Sequence, residues 1–162
     1  MRTAPLSIIL LLSVLTLFNS CNKEKSTNDF DDEQVAKEVR QMLDDYFAAI
    51  RESGLRAEFE YLDQSSDFFW VPPGFNSAIS YDSVKIILES NADSFKEVEF
   101  YWDTLLIIPI SINIANYTGI VKGSITDSQD SINPVSMIET GTVIRRVNGW
   151  KILSGQSRNL DL

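Results

Sequence analysis

Between residues 35 and 50 the apolar side chains recur at steps of three and four: Val35, Val39, Met42, Leu43, Tyr46, Phe47 and Ile50. That spacing draws one stripe along an amphipathic helix. Asp31, Asp32 and Glu33 suit the positive N-terminal end of such a helix, and Gly54 suits its C-terminal cap. A second, short helix is predicted over Leu55 to Leu62, burying Leu55, Phe59 and Leu62, before Ser65-Ser66 breaks it. DFFWV (67–71) reads as a strand stopped by PPG, because proline cannot feed a ladder and glycine permits the turn. SAISY (77–81) is its short partner. Helical period then returns, with Val84, Ile87, Leu88 and Phe95 on one side and Ser80 or Asp82 as the cap.

After Lys96 the pattern changes to long β-branched and aromatic runs at 97–110, 112–125, 135–147 and 150–157. Residues 126–134, TDSQDSINP, read as a loop. Asn148-Gly149 is the strongest hairpin signal in the chain. Helix, helix, short hairpin, helix and a four-strand meander predict an α+β domain: a curved antiparallel sheet wrapped round the N-terminal helices. Such a sheet curls into a cone open at one end.

Charge and composition narrow the chemistry. Across 162 residues there are 23 acids against 14 bases, a net charge of −9, no histidine and one cysteine. No basic cluster appears, which argues against nucleic acid. The adjacent pair Arg145-Arg146 points to opposite faces if it lies in a strand. Without histidine the commonest general base and metal ligand are absent, and no zinc site of the Cys/His type can be built. The expectation is therefore no metal and no cofactor.

The N-terminus carries a separate signal. Met1-Arg2 is a short basic start, and Leu6 to Phe18 is an almost unbroken apolar run. That run is short for a membrane span, which needs about 20 apolar residues, and it fits an export signal. Leu17-Phe18-Asn19-Ser20-Cys21 resembles a bacterial lipobox. The resemblance implies cleavage before Cys21 and acylation of its sulfur and its new amine. Phe18 and Asn19 depart from the preferred leucine and small residue, and an ordinary secretory signal with an incidental cysteine is the other reading. Asn22, where retention at the inner membrane commonly uses aspartate, implies the outer membrane. The expected organisation is a lipoprotein signal peptide over 1–20, a flexible polar tether over 21–33 and one domain over 34–162. The expected address is the cell envelope, through acylated Cys21.

DDYFAAIRESGL, DFFWVPPG, YDSVKIIL and RRVNGWKILSGQS, in this order, resemble the SnoaL-like (nuclear transport factor 2-like) superfamily, whose fold is a cone-shaped, cystatin-like roll. The resemblance covers about residues 33 to 158. That fold hosts isomerases, cyclases, dehydratases and adaptors, so it does not choose a function. Against ketosteroid isomerase, Tyr46 falls where that family keeps its oxyanion tyrosine. Val71 falls where it keeps the base, and Thr142 or Val143 where it keeps the acid. Valine takes no proton, so that mechanism is not available as it stands. Glu139 is the nearest remaining carboxylate, a base at the cone's mouth or a solvated strand residue.

Trp70, Trp102, Tyr117 and Trp150 fall on strands. Alternation puts Phe100 and Trp102 on one face, and Trp150, Ile152, Ser154 and Gln156 on one face. The candidate pocket is Tyr46, Trp70, Trp102, Tyr117, Glu139 and Gln156, suited to a small, mostly apolar ligand. The same aromatics could instead fill the core or form a homodimer contact on the outer face. Arg158 is a candidate clamp for an acid or a surface residue. Three functions follow: a binding domain for a small molecule or protein without defined catalysis, an isomerase or hydro-lyase using Glu139 and Tyr46, or an envelope scaffold using the sheet face.

Overall fold

The seven apolar residues of the first stripe are the seven buried residues of α1, Asp32–Ser53. The Asp31 carboxylate caps it by accepting the Gln34 N–H, and Gly54, at φ +78°, ends it by donating its N–H to the Ile50 carbonyl. The computed structural model describes residues 30–160. The expected leader, Cys21 and the tether up to residue 29 lie outside the described residues.

A short 3-10 segment, Leu55–Glu60, follows, then β1, Phe69–Val71, and α2, Tyr81–Asn91, capped by the Ser80 hydroxyl. After a short 3-10 turn at Ala92–Ser94 come β2, Phe95–Ser111; β3, Ile114–Asp127; β4, Ile132–Arg146; and β5, Gly149–Asn159. The five strands form one curved, unclosed sheet in the order β1-β5-β4-β3-β2. The four long strands are the antiparallel meander, and Gly149, at φ +103°, makes the tight turn at Asn148-Gly149.

Three local expectations are corrected. The turn between β3 and β4 is shorter than 126–134: strand pairing persists to Thr126 opposite Ile132, and the Asp127 carboxylate closes the turn by accepting the N–H groups of Gln129 and Ser131. β1 runs parallel to β5, and its hairpin with SAISY reduces to one bridge between Trp70 and Ile79. The second helix is 3-10 rather than α and ends at Glu60, so that Leu62 is buried in a parallel bridge to Ile152.

The core lies between α1 and the concave face, around Val39, Leu43, Ile50, Tyr117, Val121, Val143 and Ile152, all almost completely buried. The convex face carries an exposed apolar row, Leu106, Ile108 and Ile110 on the edge strand β2 with Ile112 just beyond, and Ile138 on β4. Arg145 and Arg146 reach different carboxylates, Glu38 on α1 and Asp63 before β1.

Candidate functional site

Where the wrap of the sheet leaves α1, a cavity of about 580 Å³ opens into the molecule. α1 supplies Tyr46 and Phe47, and the 3-10 turn supplies Leu55 and Glu58. Trp70 comes from β1 and Val84 from α2. The concave strands add Phe100, Met137, Glu139, Ile152 and Ser157. The wall is predominantly apolar, with two carboxyls set into it.

Each carboxyl is held by a tyrosine. Tyr46 donates its hydroxyl to Glu58 Oε2 at 2.9 Å, and Tyr117 donates to Glu139 Oε1 at 2.9 Å. The local reasons differ. Gly54 turns the chain sharply enough that the 3-10 turn folds back along α1 and brings Glu58 to Tyr46. Tyr117 and Glu139 lie on adjacent strands two positions out of register, since Tyr117 pairs with Gly141 and Glu139 with Gly119. Gly141 leaves the room: a Cβ there would come 2.7 Å from the Tyr117 ring.

Burial sets the electrostatics. Glu139 is 6% exposed, and loss of water pushes its pKa up to about 7 despite the Tyr117 and Ser157 hydrogen bonds, which hold it down. Glu58 is half-buried, with its carboxyl desolvated. It is also pushed up to about 7, by that desolvation and by the nearby charge of Glu139, against the opposing Tyr46 hydrogen bond. Desolvation first, then the neighbouring glutamates, drives both tyrosine hydroxyls well above their ordinary range. Around neutral pH each carboxyl is thus close to the middle of its titration, and the charge of Glu139 bears on Glu58.

The structure places the sequence-derived candidates unequally. Tyr46, Trp70 and Glu139 line the cavity. Glu139 lies buried in the concave face rather than in solvent. Tyr117 is 1% exposed and stands behind Glu139 as its hydrogen-bond donor. Trp102 packs on the Phe47 ring, with centroids 5.0 Å apart, and on Tyr117 at 5.8 Å, and it borders a shallow surface depression with Arg40 and Arg51. Gln156 is exposed on the convex face, beside Val71, Thr140 and Arg158. The cause is a β-bulge. Thr142 pairs with Ser154 but Val143 pairs with Ile152, so Leu153 is unpaired and the alternation of β5 flips there. Trp150 and Ile152 stay inward, and beyond the bulge Ser157 rather than Gln156 faces the cavity.

Val143 is fully buried in the core, and the Thr142 hydroxyl donates to Asn116 on the convex face. Neither position offers an acid to the cavity. Arg158 is exposed on the same face. Glu58 and Ser157 escape the sequence reading. Glu58 looks like one more solvated acid in LRAEFE, and only the tight turn at Gly54 hints that the segment folds back on Tyr46.

No family model matches the chain, and no curated protein does. Solved structures do. A scytalone dehydratase-like protein of Novosphingobium aromaticivorans superposes with a TM-score of 0.68 at 16% identity, over 78% of this chain and 84% of the other. A nuclear transport factor 2-like superfamily protein of Salmonella enterica gives 0.67 at 11% identity, over 80% and 94%. A dehydratase-like member of that family from Streptomyces avermitilis gives 0.66 at 12%, over 82% and 100%. Identities this low establish shared architecture rather than shared chemistry. With its helices and strands superposing on these structures, the chain has the nuclear transport factor 2-like (SnoaL-like) fold.

Proposed function

We propose that this domain binds a small, mostly apolar molecule in the cavity between α1 and the concave sheet. The carrying observation is the cavity itself: about 580 Å³, within the range of roughly 300–1,000 Å³ typical of small-molecule sites, and walled by aromatic and aliphatic side chains with a few polar points. A cone packed solid would have favoured a scaffold. The domain's setting is proposed from sequence alone: acylated Cys21 tethers it to the envelope, at the outer membrane. N-phenyl-1-naphthylamine, a neutral apolar fluorophore, tests the pocket. Saturable one-site enhancement that is lost in Met137→Trp, which fills the cavity, supports it. Absence of saturable binding, or binding untouched by that substitution, overturns it.

A second reading, an isomerase or hydro-lyase, is favoured by two carboxyls of near-neutral pKa lining one cavity and by dehydratase-like neighbours of the same fold. In it Glu139 takes a proton from carbon and Glu58 returns one. Tyr46 is not a free oxyanion donor, since its hydroxyl is already given to Glu58. Exchange of deuterium into the α-carbon of β-tetralone, followed by NMR, checks this reading. Acceleration that disappears in Glu139→Gln supports it, and no acceleration by the native chain ends it. The exposed row from Leu106 to Ile112 supports a protein contact or homodimer on the convex face, which sedimentation of Ile108→Lys against the native chain would reveal.

A further inference from the structure

Among the described residues, the cavity wall carries two carboxyls and no cation. Its lining includes Glu58 and Glu139 but neither lysine nor arginine. The hydrogen bonds that reach those carboxyls come from neutral hydroxyls: Tyr46 to Glu58, and Tyr117 and Ser157 to Glu139. Several of the described cations are engaged with other partners. Arg56 pairs with Asp93, Arg145 with Glu38 and Arg146 with Asp63, while Lys151 donates to the Glu60 carbonyl and Arg40 to that of Leu105. A desolvated carboxylate is tolerated when a counter-charge sits beside it, and among the described residues the cavity wall supplies none. The wall is also aromatic, with Trp70, Phe68 and Phe100. Aromatic faces attract cations, and they also accommodate apolar bodies.

We propose that the cavity's ligand is a small apolar amine, its ammonium group set between Glu58 and Glu139 and its hydrocarbon body against Trp70, Phe68 and Phe100. This rests on the pocket reading above and gives its ligand a chemical class. The ammonium supplies the charge that the described wall lacks, in charge-assisted hydrogen bonds to carboxylate oxygens. Binding then favours the ionised form of both carboxyls, so the amine enters with proton release near neutral pH. The titratable groups facing the pair are Tyr46 from α1 and Tyr117 from β3. β5 adds Ser157, while β1 and α2 present Trp70 and Val84. Affinity accordingly rises with pH through 7, until the amine itself loses its proton.

Calorimetric titration of the full chain at pH 7 with three probes of one shape tests this: 2-phenylethylamine, 2-phenylethanol and 3-phenylpropionate. The amine is expected to bind at least about tenfold more tightly than the alcohol, with the anion weakest, and to release protons on binding as read from two buffers of different ionisation enthalpy. Glu58→Gln and Glu139→Gln should each weaken the amine by about tenfold or more and leave the alcohol within about threefold. Both variants are expected to fold, since each removes a desolvated charge. Alcohol binding as tight as amine binding, or amine affinity unchanged in both variants, would overturn the amine and leave the pocket standing. Failure of all three probes together with the neutral fluorophore would overturn the pocket, and this inference with it.

Discussion

Two buried carboxyls in this molecule meet opposite fates. Asp63 is 5% exposed and Glu139 is 6% exposed, but the Glu139 carboxyl is set more deeply, so desolvation weighs more on it. Asp63 accepts two hydrogen bonds from Arg146, at 2.9 and 2.8 Å. The Arg146 hydrogen bonds, outweighing desolvation, hold its carboxyl below the ordinary range. Glu139 receives only neutral hydroxyl donors, and desolvation wins, lifting it to about 7. β4 takes part in both, with Glu139 in mid-strand and Arg146 at its end. At the hairpin end the strand completes an ion pair that knits β4 to the segment before β1. In mid-strand it leaves a desolvated acid facing an open cavity. The first arrangement serves cohesion. The second lowers stability above neutral pH, a cost that a binding or catalytic site can justify.

The largest effect should come from the residue on which Glu139 leans. Tyr117→Ala removes a ring that is almost fully buried against Trp102 and takes away the hydroxyl on Glu139. A loss of about 3–5 kcal/mol is expected, read from urea midpoints. Tyr117→Phe keeps the ring, should cost about 1–2 kcal/mol, and should move the Glu139 titration upward, because the lost hydrogen bond holds it down. Side-chain carboxyl NMR reads that movement directly, and a downward shift would refute the assignment.

Next in size is Glu139→Gln. The folded pKa, about 7, lies above the ordinary 4.5, so between those values the native state holds a proton that the unfolded chain has released. Stability contributed by this group is therefore fully present below pH 4.5 and is lost as pH rises through 7. At 1.36 kcal/mol per pH unit the penalty above pH 7 is roughly 3 kcal/mol, shared with Glu58 because the two carboxyls interact. Glu139→Gln should stabilise the fold by about that amount at pH 8 and by almost nothing at pH 4. Equal effects at both values would show that Glu139 is not desolvated.

Asp63→Asn should run the other way. Its folded pKa is depressed, so its contribution is present above 3.8 and fades as pH falls through the folded value. The variant should be less stable at neutral pH and flatter below 3.8. The loss is expected to be smaller than for Tyr117→Ala, because the Arg146 side chain keeps 37% of its exposure and can return to water. Circular dichroism against pH for the native chain and both carboxyl variants sets the two fates on one axis.

How much of this could be read in the sequence follows from which interactions are local. The α1 stripe is a local period, and Val35 through Ile50 are buried as that period requires. The Asn148-Gly149 turn is local too. Tyr46 and Glu139 stand out through the resemblance to ketosteroid isomerase, Tyr46 by its position and Glu139 as the nearest remaining carboxylate. Which side chain each one meets could not be read, because each pairing spans a tertiary contact. Glu58 reaches Tyr46 across the Gly54 turn, and Tyr117 meets Glu139 across a strand pair whose register no local pattern sets. The bulge at Leu153 lies in a run, WKILSGQS, that alternates well enough on paper to hide it.

Gln156 carries the smallest prediction and tests that bulge most directly. Simple alternation from Trp150 and Ile152 would put its amide in the cavity, where its loss should weaken binding of an apolar amine or of the neutral fluorophore. With Leu153 unpaired, Gln156 is exposed on the convex face opposite Thr140, and Ser157 takes the inward position opposite Glu139. Gln156→Ala should therefore change stability by no more than about 0.5 kcal/mol and leave binding unaltered. Ser157→Ala should instead raise the Glu139 pKa further, by removing one of the two hydrogen bonds that hold it down. If Gln156→Ala weakens binding while Ser157→Ala leaves the Glu139 titration where it was, the strand alternates without interruption and the cavity wall drawn from β5 is wrong.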